Sequence, residues 1–143
     1  MELLKCLRSP ARGSESRAAA AAFQIMARAA HRPADTSDIL AAGAVELMLQ
    51  HWREPTFNVK SLAAELRVNR SSLSRRFHGA LGVSPTDYIQ RLRLQHALAL
   101  LRNTKLTASE IARQCGFREA AYFCRWVRRA TGQTPSAWRR AGG

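Results

Sequence analysis

An internal repeat constrains this chain more than any other feature. Asn58, Leu62 and Ala63 recur as Thr107, Ile111 and Ala112 at an offset of 49 residues, and Val68 recurs as Phe117 at the same offset. Leu73-Ser74-Arg75-Arg76-Phe77 then aligns with Phe123-Cys124-Arg125-Trp126-Val127, and Gly82, Pro85 and Tyr88 align with Gly132, Pro135 and Trp138, all at an offset of 50. The second copy therefore carries one extra residue just after its turn. Each copy reads as a short helix, a tight turn and a longer helix. Small Ala63 and Ala112 let two helix backbones approach, Val68 and Phe117 plug the corner, and Leu73/Phe77 and Phe123/Val127, four apart, form one apolar stripe each. This is the helix-turn-helix pattern, whose second helix is able to lie in a DNA major groove.

The remaining signals make the chain all-helical. Ser37 or Asp38 caps a first helix to about Trp52, and Glu54-Pro55-Thr56-Phe57 breaks it. Asn58 caps a helix through Leu66, and Arg67-Val68-Asn69 turns into a helix over Arg70–Ala80. Ser84-Pro85 opens a helix to about Arg102, a cap with proline in first helical position. Thr107 and Glu110 make a capping box for a helix to Cys115. Gly116-Phe117 turns into a helix over Glu119–Thr131, and Thr134-Pro135 opens a last helix through Arg140. No stretch sustains the alternation of a strand. The helix 85–102 is roughly 27 Å long, against about 34 Å for one turn of DNA. A rod of that length suits two recognition helices in successive grooves, and Leu94, Ala97 and Leu101 are placed to bury it against both units.

Charge narrows the partner. The chain has 23 Lys and Arg against 10 Asp and Glu, a net +13, and only Lys5, Lys60 and Lys105 are lysines. Such a surface suits a polyanion, most often nucleic acid. No apolar run approaches a membrane span. Three cysteines, Cys6, Cys115 and Cys124, form neither a disulfide framework nor a zinc spacing and fit a reducing cytoplasm. Residues 1–36 read as a separate, mostly helical extension: a loop at 9–14, an alanine-rich helix over Glu15–His31 and a linker at 31–36 containing Pro33. The start also faintly resembles a mitochondrial transit peptide. Neither a Ser-His-Asp set, nor a glycine-rich loop, nor paired carboxylates, nor a metal spacing among His31, His51, His78 and His96 is present, so neither catalysis nor a cofactor is expected.

Ile111-Ala112, Gly116-Phe117, Tyr122-Phe123-x-Arg125, Gly132-x-x-Pro135 and Arg139 in the second unit resemble the signature of the AraC/XylS family of bacterial transcription regulators. Leu62-Ala63, Leu73–Phe77, Gly82-Val83-Ser84-Pro85, Tyr88-Ile89 and Arg93-Leu94-x-x-Ala97-x-x-Leu100-Leu101 fit it as well. The match spans about residues 38–140. It implies a seven-helix, homeodomain-like domain at 37–143: unit one at about 38–82, the linker helix at about 85–102 and unit two at about 107–140. It further implies a cytoplasmic regulator, an activator in many members, that binds double-stranded DNA and often contacts RNA polymerase. Many members carry an effector and dimerisation domain on the N-terminal side. Residues 1–36 are too few for one, so the sequence reads as a short member or as a piece of a longer regulator, with a homodimer contact through 1–36 open. Val127 stands where the family usually has Phe and Ala121 where it often has Ser, while Arg118 and Trp126 are bulkier than usual.

On this reading Ser71, Ser74 and Arg75 of the first unit and Ala121, Cys124 and Arg125 of the second are the expected base contacts. Arg70, Arg76, Lys105, Thr107, Arg118 and Arg128 are the expected phosphate contacts. Arg75 lies two past the buried Leu73 and so projects outward; a phosphate contact is its plainer alternative. The caps Asn58, Asn69, Ser84, Thr107 and Thr134 stabilise their helices whether or not an anion binds. Cys115 matches Leu66 and reads as core. Cys124 matches Ser74 on the outward face, with a redox role as a remote alternative. Trp52, Trp126 and Trp138 read as packing residues, with Trp126 on a polar helix face where exposure is its alternative. Three other readings stay open: a protein-interaction module, a nonspecific binder held by charge and, remotely, a domain fused to a DNA-repair enzyme.

Overall fold

The computed structural model describes residues 36–142, and the expectations for the loop, helix, linker, Cys6 and self-association within residues 1–35 lie outside them. Seven helices follow one another, and among the described residues there is no strand. They are α1 (Thr36–His51), α2 (Val59–Glu65), α3 (Arg70–Leu81), α4 (Pro85–Asn103), α5 (Ala108–Gln114), α6 (Ala120–Thr131) and α7 (Pro135–Ala141). The expected boundaries hold to within two residues.

Local chemistry sets those boundaries. The Asn58 side chain accepts from the Lys60 and Ser61 amides, and Ser61 Oγ accepts in return from the Asn58 amide. Asn69 receives the Ser72 amide, Ser84 that of Asp87, Thr107 that of Glu110 and Thr134 that of Ala137. Each bond satisfies a donor that the first helical turn leaves without a partner. α3 and α6 both end on a left-handed glycine, Gly82 and Gly132.

Two apolar clusters form, one per unit. Ala41, Ala44 and Met48 of α1 cover Leu62 and Ala63 of α2 and Leu73 and Phe77 of α3. Leu94, Ala97, Leu98 and Leu101 of α4 cover Ile111 and Ala112 of α5 and Phe123 and Val127 of α6. The second half of α4 thus does for unit two what α1 does for unit one. This corrects the expectation for Leu94, Ala97 and Leu101, which face the second cluster alone. Ile89 is the buried α4 residue that serves the first. Nineteen residues make α4 about 28 Å long. Phe57, read from sequence as part of a chain break, is 4% exposed and belongs to the first core.

Candidate nucleic-acid interface

α3 and α6 bury the stripes Leu73/Phe77 and Phe123/Val127, all fully. Turning 100° per residue, the helices must then present Ser71, Ser74, Arg75 and His78 from α3 and Ala121, Cys124, Arg125 and Arg128 from α6. Of the expected readers, Ser71, Arg75, Ala121 and Arg125 are exposed, as are His78 and the expected phosphate contact Arg128. Ser74 and Cys124 are half-buried at the edge of each face, and Cys124 packs against the second cluster. The structure therefore brings the six expected base-contact residues onto two outward faces, with Cys124 more a shoulder of the core than an open thiol.

The expected phosphate contacts are more scattered. Arg70, Arg118 and Lys105 are exposed near the starts of α3, α6 and α5. Arg70 and Lys60 share the rim of a shallow groove floored by Phe57, Val59 and Ile89. Arg76 is half-buried and stands about 100° around α3 from Arg75. Its counterpart Trp126 is half-buried as well and packs 4.6 Å from the Phe117 ring, in line with its reading as a packing residue. Thr107 is occupied internally: its amide and hydroxyl both donate to Glu110 Oε2, at 2.7 and 2.8 Å. Those bonds hold the Glu110 carboxyl below its ordinary pKa and put a carboxylate where a phosphate was expected. Among the described residues the one ion pair is His51–Glu54, so the arginines of α3 and α6 have no acidic partner there and their field is directed outward.

Three functional candidates escaped the sequence reading. Tyr122 is half-exposed on α6, beside Phe117; it was visible only as part of a motif. So were Arg93 and Arg139. Arg139 donates to the carbonyls of Leu101 and Leu106 and so ties α7 to the end of α4 and the start of the next loop. Arg93 is buried, and its guanidinium donates to the carbonyls of Trp52, Glu54 and Phe57. Desolvation lowers its pKa from the usual arginine value.

A family model described as a helix-turn-helix domain matches residues 62–141. The HTH-type transcriptional activator RhaR of Salmonella dublin is 34% identical over 86 residues, which are 60% of this chain and 30% of that protein. The DNA-binding domain of the global transcriptional factor AdpA, solved with a target DNA, is 33% identical; the likeness covers 71% of this chain and 90% of that one, with a TM-score of 0.64. A regulator with an AraC-type DNA-binding domain from Chromobacterium violaceum is 31% identical over 75% of this chain and 95% of its own, with a TM-score of 0.63. The chain belongs to the AraC/XylS family. It spans about 30% of the length of the curated relatives it matches. Within the AraC/XylS pattern its chief departure, Val127, is accommodated without exposure: Val127 is fully buried, and Phe117 and Trp126 crowd the same core. Among the described residues no helix is long and apolar enough to cross a membrane.

Proposed function

We propose that residues 37–143 are a sequence-specific reader of double-stranded DNA, serving a transcription regulator rather than an enzyme. In this reading α3 and α6 enter successive major grooves, and α4 holds them on one side of the duplex. The observation that carries it is the duplicated outward face, Ser71/Ser74/Arg75 and Ala121/Cys124/Arg125, on two helices whose cores are packed against the first and second halves of α4. A solved relative, AdpA, was crystallised with a target DNA. Arg75 and Arg125 are forked donors suited to the O6 and N7 acceptors of guanine. Arg70, Arg76, Lys105, Arg118 and Arg128 anchor the backbone, and the Thr107 amide serves only where Glu110 yields it. Bacterial cytoplasm, contact with RNA polymerase as an activator, and self-association through residues 1–36 complete the reading, on the strength of the family resemblance.

Selection of bound duplexes from a randomised pool at physiological salt, followed by sequencing, tests this. The expected result is two short blocks about one helical turn apart. A single block means that one unit only grips the backbone. Binding without any motif, steeply weakened by salt, identifies a charge-driven binder instead.

A further inference from the structure

We infer that Arg93 is a positioning residue that fixes the two reading helices relative to each other, and so sets the spacing between the two blocks of base pairs the protein accepts. This deepens the two-groove reading and rests on it. Arg93 sits on α4 between Leu92, which packs against the first core, and Leu94, the first α4 residue of the second. From there its Nε donates to the Trp52 carbonyl at 2.9 Å, and its Nη2 donates to the carbonyls of Glu54 and Phe57, each at 3.2 Å. Those acceptors lie in the segment that joins α1 to α2, within unit one. The other side of the guanidinium faces unit two, its carbon 5.7 Å from the centre of the Phe117 ring. Beside it, a Cβ placed on Gly116 would lie 3.3 Å from Arg93 Nη2 and 2.8 Å from the Arg53 carbonyl oxygen, so the turn of unit two rests directly on the connecting segment of unit one.

The chemistry of this joint is directional. Arg93 is 8% exposed and has no carboxylate within ion-pair reach among the described residues. A buried cation without an acid is an expensive filler, and an apolar chain of similar volume would avoid that cost. A guanidinium adds a rigid, planar fork whose donors match three carbonyls at fixed angles. It pins the connecting segment from the α4 side, and with it the angle between the units. The neighbours extend the joint: the Arg53 guanidinium lies 5.0 Å over the Trp52 ring, and His96 of α4 meets that ring edge-on.

The test is a spacing ladder read with the 143-residue chain. The selected duplex is compared with derivatives carrying one base pair more or fewer between its two blocks. One base pair rotates the second block by roughly 35° and shifts it by about 3.4 Å. Wild type should lose at least about 10-fold in affinity on either derivative, the size of a single specific mismatch. Arg93→Met should discriminate among spacings by less than about 3-fold, and Arg93→Lys, which keeps charge but not the fork, should fall between. Val83→Ala, which trims the periphery of the first core away from this joint, should keep the wild-type ladder despite its lower stability. If Arg93→Met does not fold, Arg93→Lys decides by the same ladder. A wild-type ladder in both Arg93 variants overturns the positioning role and leaves the two-groove reading standing. A wild type indifferent to spacing overturns both.

Discussion

In unit one the turn carries Val68 and the reading helix carries Phe77; in unit two the turn carries Phe117 and the helix carries Val127. Phe77 reaches from α3 to meet Tyr88 of α4 edge-on at 5.7 Å, while Phe117 packs from the turn against Phe123 and Trp126. A ring has moved from helix to corner between these two positions, while Leu73 of unit one is replaced by Phe123, so the second core is the more aromatic of the two. The outward faces diverge as well. Ser71, Ser74 and His78 of unit one face their counterparts Ala121, Cys124 and Arg128 in unit two. Unit one offers more hydrogen-bonding groups, unit two more fixed charge. Shared architecture therefore carries different surface chemistry on two faces that the proposed reading assigns alike to base contact.

The core exchange predicts unequal costs at equivalent positions. Phe77→Ala should destabilise by about 3–5 kcal/mol, and Val127→Ala by about 2 kcal/mol, because less buried volume is lost. Phe117→Ala should restore the large value in unit two. Urea unfolding followed by circular dichroism measures all three, and equal costs at 77 and 127 would mean that the ring in the corner does not substitute for the ring on the helix.

The turns differ next. Arg67 and Gly116 are equivalent, and both hold left-handed backbone, at φ 54 and φ 80. The fifth-residue hydrogen bond that closes the turn, Val68 amide to Ala63 carbonyl or Phe117 amide to Ala112 carbonyl, is the same in both. Arg67 is exposed and tolerates a side chain. Gly116 is packed so tightly on the Arg53 carbonyl that a Cβ would overlap it. Gly116→Ala should cost about 2–4 kcal/mol, the left-handed strain plus a forced backbone shift. Arg67→Gly should stay within about 1 kcal/mol of wild type. A harmless Gly116→Ala in the same unfolding assay would show that the contact between units yields freely.

Duty on DNA is tested by paired arginine variants. Arg75→Ala and Arg125→Ala should each weaken the selected duplex by about 1–3 kcal/mol and each relax one base position. Arg128→Ala should weaken every sequence alike and reduce the salt slope by about 1. Anisotropy titrations over a range of salt separate these outcomes. A uniform loss for Arg75→Ala would make it a backbone contact and end the shared assignment of the two faces.

The repeat made most of the fold legible because its instructions are local: Asn58, Ser84, Thr107 and Thr134 cap helices in the structure as their types and positions imply. The outward faces were legible for a similar reason, since helical period alone puts Arg75 and Arg125 opposite the buried stripe. What stayed hidden depends on partners far away in sequence. Phe57 is core because the cluster that buries it is gathered from α1, α2, α3 and α4. Arg93 acts on carbonyls 36 to 41 residues earlier, and no spacing rule near residue 93 points there. Leu94, Ala97 and Leu101 look equally suited to either unit until the α4 axis is fixed by what Ile89 and Arg93 hold.

The smallest expected effect near neutral pH again separates the units. The last core residue before each turn is Leu66 in unit one and Cys115 in unit two. Cys115 is fully buried, and burial pushes its thiol from an ordinary pKa of 9.0 up to about 12. Below pH 9 the thiol is neutral folded or unfolded and contributes no pH dependence. Between about 9 and 12 the unfolded chain releases the proton while the folded chain still holds it, so stability falls as pH rises. Tyr88, whose hydroxyl burial also shifts upward, adds a similar decline from unit one. Subtraction separates the two: Cys115→Ala removes the thiol's part and leaves the tyrosine's. Its urea midpoint should start below that of wild type at pH 8, and the gap should narrow as pH climbs toward 11. A constant gap would mean that the thiol ionises as readily in the folded protein as in the unfolded chain, and that the second core is open to water at Cys115.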